Sequence, residues 1–196
     1  MDIVAASIGL LLTAPLFLLV AIAVRLDSHG PAIYRQLRVG RTLADRTELF
    51  TILKFRSMRA DAEKLTGAVW AQKSDPRITR IGAFIRKTRL DEIPQLINVL
   101  RGDMSLVGPR PERPGLVDKL DLALPFYADR MMGLRPGVTG YAQVNQGYDT
   151  DIEGVRRKVA LDAAYAMRLA TFRSWIVTDL GILVRTVGVV VTGAGQ

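Results

Sequence analysis

The sequence contains no cysteine and a single histidine, and both shortages exclude whole classes of functional site. Without cysteine the chain forms no disulfide and offers no thiolate to a metal or a substrate. His29 lies in the turn-like stretch SHGP, so neither a multi-histidine metal site nor a Ser-His-Asp triad fits this chain. Any bound metal would therefore use oxygen ligands, which favours Mg²⁺.

Acidic residues are also the minority charge, with 19 aspartates and glutamates against 27 lysines and arginines and a formal net charge of +8. That balance suits an anionic partner, which is nucleic acid, an anionic membrane surface or a phosphorylated substrate. The 196 residues predict one main domain, and the 49% hydrophobic content is enough for a substantial core.

Charge is missing altogether from residues 3–24. About 22 residues at ~1.5 Å each are enough to cross a bilayer as a straight helix. Pro15 stands near the middle of this segment, where it removes a backbone hydrogen bond and kinks a helix. Two interpretations stay open, namely a spanning helix and a re-entrant helix that enters and leaves on one face. In both, the basic remainder of the chain belongs on the cytoplasmic side.

Turn residues divide the following stretch into short elements. We predict two short strands, at residues 33–36 and 50–55, followed by a short exposed helix at residues 60–65. Trp70 lies in the next loop, where it is either a core residue or part of a lid.

Two stripes of apolar residues with helical spacing flank the adjacent carboxylates of Asp91 and Glu92. The first stripe contains Ile78, Ile81 and Ile85, and the second contains Ile93, Leu96, Ile97 and Leu100. Because Pro94 fits a helix only in its first turn, the second helix should begin near Asp91, with that residue close to the N-cap.

Four cations precede this acid pair, namely Arg80, Arg86, Lys87 and Arg89. A helix N-terminus beside arginines is a phosphate site. A carboxylate in such a place has two chemical uses besides capping: it acts as a nucleophile on phosphorus or as a ligand for Mg²⁺.

Two further loops carry an arginine among prolines and glycines. Arg110 lies between Pro109 and Pro111, which fix the backbone and immobilise the guanidinium for contact with a phosphate or a nucleobase. Arg135 begins the second loop, in the stretch RPGVTG. Together with the acid pair, these loops indicate a phosphate-rich substrate.

Three segments carry a resemblance to a known family: KFRSM at residues 54–58, LDEIPQLINVLRGDMSLVGPRPE at 90–112 and RPGVTGYAQVN at 135–145. In this order, behind a proline-bearing apolar N-terminus, they resemble the monotopic phosphoglycosyl transferases, the bacterial sugar transferase family, over essentially the whole chain. The resemblance implies transfer of a phosphosugar from a nucleotide diphosphate sugar, usually a UDP-sugar, to a polyprenyl phosphate such as undecaprenyl phosphate. The second product would be UMP, and the reaction would open membrane-bound glycan or exopolysaccharide assembly.

The resemblance also implies Mg²⁺ as cofactor and a covalent intermediate on an aspartate. Asp91 would be the nucleophile, and Glu92 would assist it at the metal or as an acid–base group, so both are candidate Mg²⁺ ligands. Arg86 would bind phosphate, and Arg110 would help to hold the nucleotide. The candidate substrate-binding residues are Lys54, Arg86, Pro109, Arg110, Pro111 and Arg135.

We expect an α+β fold, mostly helical, with a small β-sheet and an N-terminal re-entrant membrane helix. Residues 1–26 would form that helix, with its bend at Pro15. Residues 27–196 would form the catalytic domain on the cytoplasmic face of the bacterial inner membrane.

The N-terminus departs from the family pattern in two ways. The family often has Ser-Pro at the bend, whereas this chain has Ala14 before Pro15, which makes Thr13 the candidate for a replacement hydroxyl. The family's usual basic pair before the apolar segment is also missing. The chain opens with Met1 and Asp2 instead, as a piece of a longer protein would.

Two other functions use some of the same features. One is a membrane-anchored, Mg²⁺-dependent diphosphate hydrolase that passes phosphate to water, and the other is a nucleic-acid-binding protein. The apolar N-terminus and the lack of a recognisable nucleic-acid motif argue against the second, so we expect no nucleic-acid partner. An apolar stripe near the C-terminus is either core packing or a helix lying on the bilayer: Ile176, Leu180, Leu183, Val184 and Val187.

Overall fold

The structure is a computed structural model that describes residues 1–62, 75–147 and 151–192. Seven helices and four strands run through the described residues, together with two 3₁₀ turns at Leu90–Glu92 and Tyr127–Met131. The elements are α1 (Asp2–Asp27), β1 (Ile33–Thr42), β2 (Thr47–Phe55), α2 (Arg80–Lys87), α3 (Gln95–Arg101), β3 (Ser105–Val107), α4 (Pro114–Ala123), β4 (Gly137–Thr139), α5 (Tyr141–Asn145), α6 (Ile152–Arg168) and α7 (Phe172–Thr192).

The expected mostly helical α+β fold is confirmed, with two small sheets instead of one. Strands β1 and β2 form the first sheet and contain the two predicted strands, although both are longer than expected. Strands β3 and β4 pair in parallel, with Ser105 opposite Gly137 and Val107 opposite Thr139. The predicted helix at residues 60–65 begins in a turn, and residues 63–65 and Trp70 lie outside the described residues.

The chain forms two compact units. The first comprises Met1–Gln36 and Thr51–Leu100, and the second comprises Leu37–Phe50 and Arg101–Gln196. We predicted a different division, between a membrane helix at residues 1–26 and a catalytic domain at residues 27–196. That division stays a prediction.

The apolar core of the first unit joins α1 to β2 and α2. Val20 and Val24 of α1 lie four residues apart on one helical face and pack with Phe55 and Ile85. The ring of Phe17 adds to this core, with its centroid 4.7 Å from that of Phe55. Ile81 and Ile85 of the first predicted stripe are therefore confirmed on a core face, whereas Ile78 lies before α2 and forms a β-bridge with Met58.

Polar contacts hold the C-terminal end of α1 within the first unit. Arg56 Nη2 donates hydrogen bonds to the carbonyl oxygen of Ser28 at 2.6 Å and to its hydroxyl at 3.0 Å. Asp27 accepts a 3.0 Å bond from the backbone N–H of Ile81, in the first turn of α2. A cation at a helix C-terminus also compensates the negative end of the helix dipole.

The rest of α1 presents apolar side chains to its surroundings. Leu11, Leu12, Leu18 and Leu19 are all more than 60% exposed. Within the described residues, α1 is the one helix that is long and apolar enough to cross a membrane, judged by length and composition, with a mean hydropathy of 2.5. A large exposed apolar surface of this kind indicates association with a membrane.

The helix α1 continues through Pro15. Proline has no N–H for the carbonyl four residues earlier, which is that of Leu11. The hydroxyl of Thr13 donates instead to the carbonyl oxygen of Gly9 at 2.7 Å. Thr13 therefore supplies a hydroxyl to the backbone near the proline, as the sequence suggested, but to the carbonyl two residues before the one that Pro15 frees.

The second unit contains two small apolar clusters. One joins Val107, Tyr165 and Ile182, and the other joins Leu120, Tyr127 and Val155. The first cluster packs α6 against β3 and α7. The second packs α6 against α4 and the 3₁₀ turn at Tyr127–Met131.

The C-terminal helix α7 buries a narrower face than its apolar stripe suggests. Asp179 and Ile182 are buried, whereas Leu180, Val184 and Val187 are exposed. Asp179 accepts hydrogen bonds from the Tyr165 hydroxyl at 2.9 Å and from the Trp175 indole N–H at 2.7 Å. The buried face of α7 therefore includes a hydrogen-bonded carboxylate beside an aliphatic residue, and it differs from the apolar stripe.

Candidate active site

The two adjacent carboxylates lie in a tight turn rather than at the start of an α-helix. Leu90–Glu92 is a 3₁₀ turn, and the α-helix begins only at Gln95. The prediction that the helix begins near Asp91, with that residue at the N-cap, is therefore wrong. Bonds between residues three apart continue this tight winding into α3, from Leu96 N to the Ile93 carbonyl and from Ile97 N to the Pro94 carbonyl, both at 3.1 Å.

The turn is shaped by an unusual backbone conformation just before it. Arg89 has a φ of 57°, in the left-handed region that residues other than glycine rarely occupy. Hydrogen bonds from Glu92 N to the Arg89 carbonyl at 3.1 Å and from Ile93 N to the Leu90 carbonyl at 3.3 Å close the turn. Such strain concentrates at functional sites, which agrees with a role for the acid pair.

Asp91 and Glu92 are both largely enclosed. Asp91 is only 9% exposed. Glu92 Oε1 lies 2.9 Å from Lys54 Nζ, and the two side chains are 12% and 16% exposed. Lys54, which the sequence suggests as a substrate-binding residue, therefore bonds to the second carboxylate of the pair.

An asparagine on α3 fixes the turn relative to the strand that carries Lys54. Asn98 is fully buried, and its amide bonds to the backbone of β2. Its Oδ1 accepts from Leu53 N at 2.9 Å, and its Nδ2 donates to the Thr51 carbonyl at 2.8 Å. The side-chain amide thus bonds to β2 as the backbone of a neighbouring strand would. One of the two bonded residues, Leu53, directly precedes Lys54.

Arg86 lies near a second acid of the first unit. Asp75 is held by Arg77 through Nε at 2.8 Å and Nη2 at 2.6 Å. The hydrogen bonds from Arg77 chiefly lower the pKa of Asp75 to about 2, and the charge of Arg86 contributes further. Arg86 is half-buried, and its positive charge reaches the carboxylate of Asp75 that Arg77 holds.

The second unit brings the other predicted residues together around one loop. Pro109 and Pro111 are buried, Arg110 is half-buried, and Arg135 is exposed. The two loops approach at Gly108, where an added Cβ would overlap the carbonyl oxygen of Arg135, so only glycine fits. Gly137 N also donates to the Pro109 carbonyl at 2.9 Å.

A group of charged residues behind this loop was not predicted from the sequence. Arg130 and Asp162 form an ion pair at 2.7 Å, with both side chains 2% exposed. Glu112 lies 2.9 Å from Lys158 and 3.8 Å from Arg38. These residues come from distant parts of the chain, so no local pattern could have revealed them.

The group keeps Glu112 ionised although it is largely enclosed. Burial alone would raise the pKa of this carboxyl group. The positive charges of Lys158 and Arg130 outweigh burial and lower the pKa below its usual value. Glu112 therefore stays an anion that links α6 to the loop.

The acid pair fits the sparse protein ligand set of Mg²⁺. Within the described residues, no group of three or more Asp, Glu, His or Cys side chains is arranged to hold a metal. Mg²⁺ commonly binds through one or two carboxylates while water and substrate phosphates complete its shell. Two adjacent carboxylates, one of them buried, match that requirement.

Comparison with known proteins gives the family. Residues 1–193 match the bacterial sugar transferase family. The chain belongs to this family. The match covers the apolar helix, the acid pair and the proline-flanked arginine alike, and it confirms the family resemblance.

Three relatives illustrate the similarity of this bacterial sugar transferase chain. It is 45% identical over its whole length to a UDP-N-acetylgalactosamine-undecaprenyl-phosphate N-acetylgalactosaminephosphotransferase of Aeromonas hydrophila. It is 44% identical, over 95% of its length, to a UDP-glucose:undecaprenyl-phosphate glucose-1-phosphate transferase of Caulobacter vibrioides. It is 39% identical, over 95% of its length, to an exopolysaccharide production protein of Rhizobium leguminosarum.

These relatives differ in length. The chain spans 44% of the Aeromonas protein, 67% of the Caulobacter protein and 90% of the Rhizobium protein. The names of the first two differ in the sugar and agree in undecaprenyl phosphate.

Proposed function

We propose that the chain transfers a phosphosugar from a UDP-sugar to undecaprenyl phosphate, or a similar polyprenyl phosphate. The products would be a polyprenyl diphosphate sugar and UMP, at the first membrane step of glycan or exopolysaccharide assembly. The observation that carries the proposal is a family match over residues 1–193 that includes a buried aspartate beside an ion-paired glutamate. The names of the relatives support the same class of reaction.

In this proposal the reaction has two steps with Asp91 as the nucleophile. A carboxylate oxygen of Asp91 attacks the phosphorus that bears the sugar, and the bond from that phosphorus to the bridging oxygen breaks, which releases UMP. A phosphate oxygen of the polyprenyl phosphate then attacks the same phosphorus and displaces the Asp91 carboxylate. Two steps allow a soluble donor and a membrane-bound acceptor to react in turn with one carboxylate.

Glu92 has a supporting role in this scheme. Its ion pair with Lys54 keeps the second carboxylate fixed beside the nucleophile. A fixed anion next to Asp91 either orients the incoming acceptor or takes part in binding Mg²⁺. Lys54 then acts on the reaction through Glu92, in addition to any direct contact with substrate phosphate.

Asp91 and Glu92 are the residues that would hold Mg²⁺. When bound, the ion neutralises phosphate oxygens that would otherwise repel an attacking carboxylate. Arg86 of the first unit supplies the protein's own positive charge for the same purpose, and Arg110 and Arg135 of the second unit are the residues that would bind the donor. The fork of Arg110 suits a phosphate or a nucleobase, and its buried prolines limit the entropy lost on binding.

The membrane arrangement follows from the same reaction. The helix α1 would be re-entrant, bent at Pro15, with both of its ends on the cytoplasmic side of the bacterial inner membrane. Pro15 inside the helix supports the bend, and the contacts of Arg56 and Asp27 hold the C-terminal end of the helix to the first unit. A polyprenyl phosphate presents its phosphate at the membrane surface, where basic residues also favour anionic headgroups.

An activity assay with purified protein tests the proposal. Detergent-purified protein is incubated with Mg²⁺, a polyprenyl phosphate and a panel of nucleotide sugars, and released UMP is measured. We expect sustained UMP release only when both a UDP-sugar and the polyprenyl phosphate are present. A diphosphate hydrolase, which the relatives' names do not support, would release UMP continuously without the acceptor, and that result would reject the transferase.

A further inference from the structure

The segment from Pro109 to Glu112 is held by its carbonyl groups. Prolines supply no N–H, so only part of this segment can donate backbone hydrogen bonds. Its four consecutive carbonyl oxygens all accept one. The donors are Gly137 N to Pro109 at 2.9 Å, Arg130 Nη2 to Arg110 at 2.7 Å, Arg38 Nη1 to Pro111 at 3.0 Å and Val39 N to Glu112 at 2.9 Å.

The contact to the Arg110 carbonyl comes from a guanidinium that is itself fixed. Arg130 is fully enclosed, and its Nη1 donates to Asp162 Oδ2 at 2.7 Å. The planar group also lies over the ring of Tyr127, with 4.8 Å from its carbon to the ring centroid. Arg130 therefore has little freedom to move. Its guanidinium connects Asp162 of α6 to the backbone carbonyl of Arg110.

A purely structural role explains this arrangement poorly. Replacing a buried ion pair by apolar residues of similar volume is often neutral or even stabilising, because burial of two charges is costly. Fork geometry adds direction, however, because it fixes where the bonded carbonyl lies. The carbonyl in question belongs to the residue whose side chain we assign to the nucleotide.

We propose that Arg130, fixed by Asp162, is a positioning residue that holds Arg110 in the orientation in which it binds the sugar-nucleotide donor. The inference rests on the proposed function, specifically on the role of Arg110 there. Arg130 itself touches no substrate in this account. Its effect on the reaction passes through the backbone of the loop and should appear in donor binding.

The main test replaces both partners at once. Arg130→Met with Asp162→Leu removes the hydrogen bond to the loop without leaving a buried charge unpaired. We expect the KM for the UDP-sugar to rise about tenfold while kcat stays within about threefold, since only an interaction that positions the donor site is lost. The KM for the polyprenyl phosphate should not change.

Arg130→Lys provides a second variant that keeps the charge opposite Asp162. A single ammonium cannot reproduce the fork, so we expect a donor KM between those of the wild type and the double variant. If the double variant does not fold, the lysine variant carries the test alone. Asp151→Ala is the matched control, because it removes only the N-cap bond to Gly154 N, at 2.7 Å, from the same helix α6.

The same replacement in an Arg110→Ala background separates the inference from the proposed function. Arg110→Ala should raise the donor KM by about 30- to 150-fold, and the paired replacement should then add less than about twofold. An unchanged donor KM in the folded Arg130 variants, or a full additional loss in the Arg110→Ala background, would overturn the positioning role alone. A wild-type donor KM for Arg110→Ala would overturn both that role and the assignment of Arg110.

Discussion

Replacing Asn98 by leucine tests how the acid pair is held, because this amide is the polar connection between α3 and β2. Leucine is similar in size and apolar, so it keeps most of the packing and removes the hydrogen bonds to Leu53 and Thr51. The backbone N–H of Leu53 and the carbonyl of Thr51 then lose their partner. The first of these bonds is buried, and the second is partly accessible to water.

The expected magnitude follows from that difference in exposure. A buried donor without a partner costs about 1–3 kcal/mol, and a partly accessible carbonyl costs less because water replaces part of the bond. We therefore expect Asn98→Leu to lower the free energy of unfolding by about 2–4 kcal/mol. The sugar-phosphate transfer should also weaken, since Asn98 joins the helix after the acid pair to the strand that carries Lys54.

Asn145→Leu is the matched control for this prediction. Asn145 also makes two side-chain hydrogen bonds, to the Tyr141 carbonyl at 2.7 Å and from Arg185 at 3.0 Å, but it is exposed. Its replacement should cost less than about 1 kcal/mol. Urea-induced unfolding in mild detergent, followed by circular dichroism, measures both. If Asn98→Leu is no less stable than Asn145→Leu, the reasoning from buried backbone groups is refuted.

Three further predictions concern the membrane, pH and the donor. Cysteines placed by Asp2→Cys and Ser28→Cys should both be protected from a membrane-impermeant reagent in intact cells, and Pro15→Leu should favour a spanning helix; labelling of the first from outside would contradict re-entry. Because the pKa of Asp75 is lowered to about 2, the stability it contributes is present above about pH 4 and lost as pH falls towards 2. Asp75→Asn should flatten this part of the acid-denaturation curve, and an unchanged curve would exclude the ion pair as its source. Arg110→Lys should recover only part of the donor affinity that Arg110→Ala loses, because the fork is missing; full recovery would show that charge alone matters.

Local patterns predicted the elements whose residues repeat regularly or limit the backbone. The apolar run, the two strands of the first sheet and the stripe that includes Ile85 were all evident from spacing. The start of α3 was misplaced because the rule that allows proline in a first turn does not say how many residues before it are helical. Here Pro94 precedes the helix, and the acid pair forms a separate 3₁₀ turn.

The buried polar contacts escaped prediction for a different reason. Asn98 lies beside the predicted apolar stripe of α3 rather than in it, and its position says nothing about a strand residue 45 positions earlier in the chain. Arg130 and Asp162 are 32 residues apart, and both are residue types that usually lie on the protein surface. Such pairs depend on the tertiary fold, so a single sequence gives no signal for them. The acid pair, in contrast, was found because two adjacent carboxylates among cations are chemically unusual.

The mass of the intact protein after incubation with donor alone tests the central claim most directly. Wild-type protein is mixed with Mg²⁺ and its UDP-sugar, without polyprenyl phosphate, and UMP is measured in parallel. We predict one UMP per protein and an added mass of one phosphosugar, mapped to Asp91, with neither in Asp91→Asn. No added mass, together with UMP that forms only when the acceptor is present, would contradict the covalent scheme and leave Asp91 as a metal ligand at most.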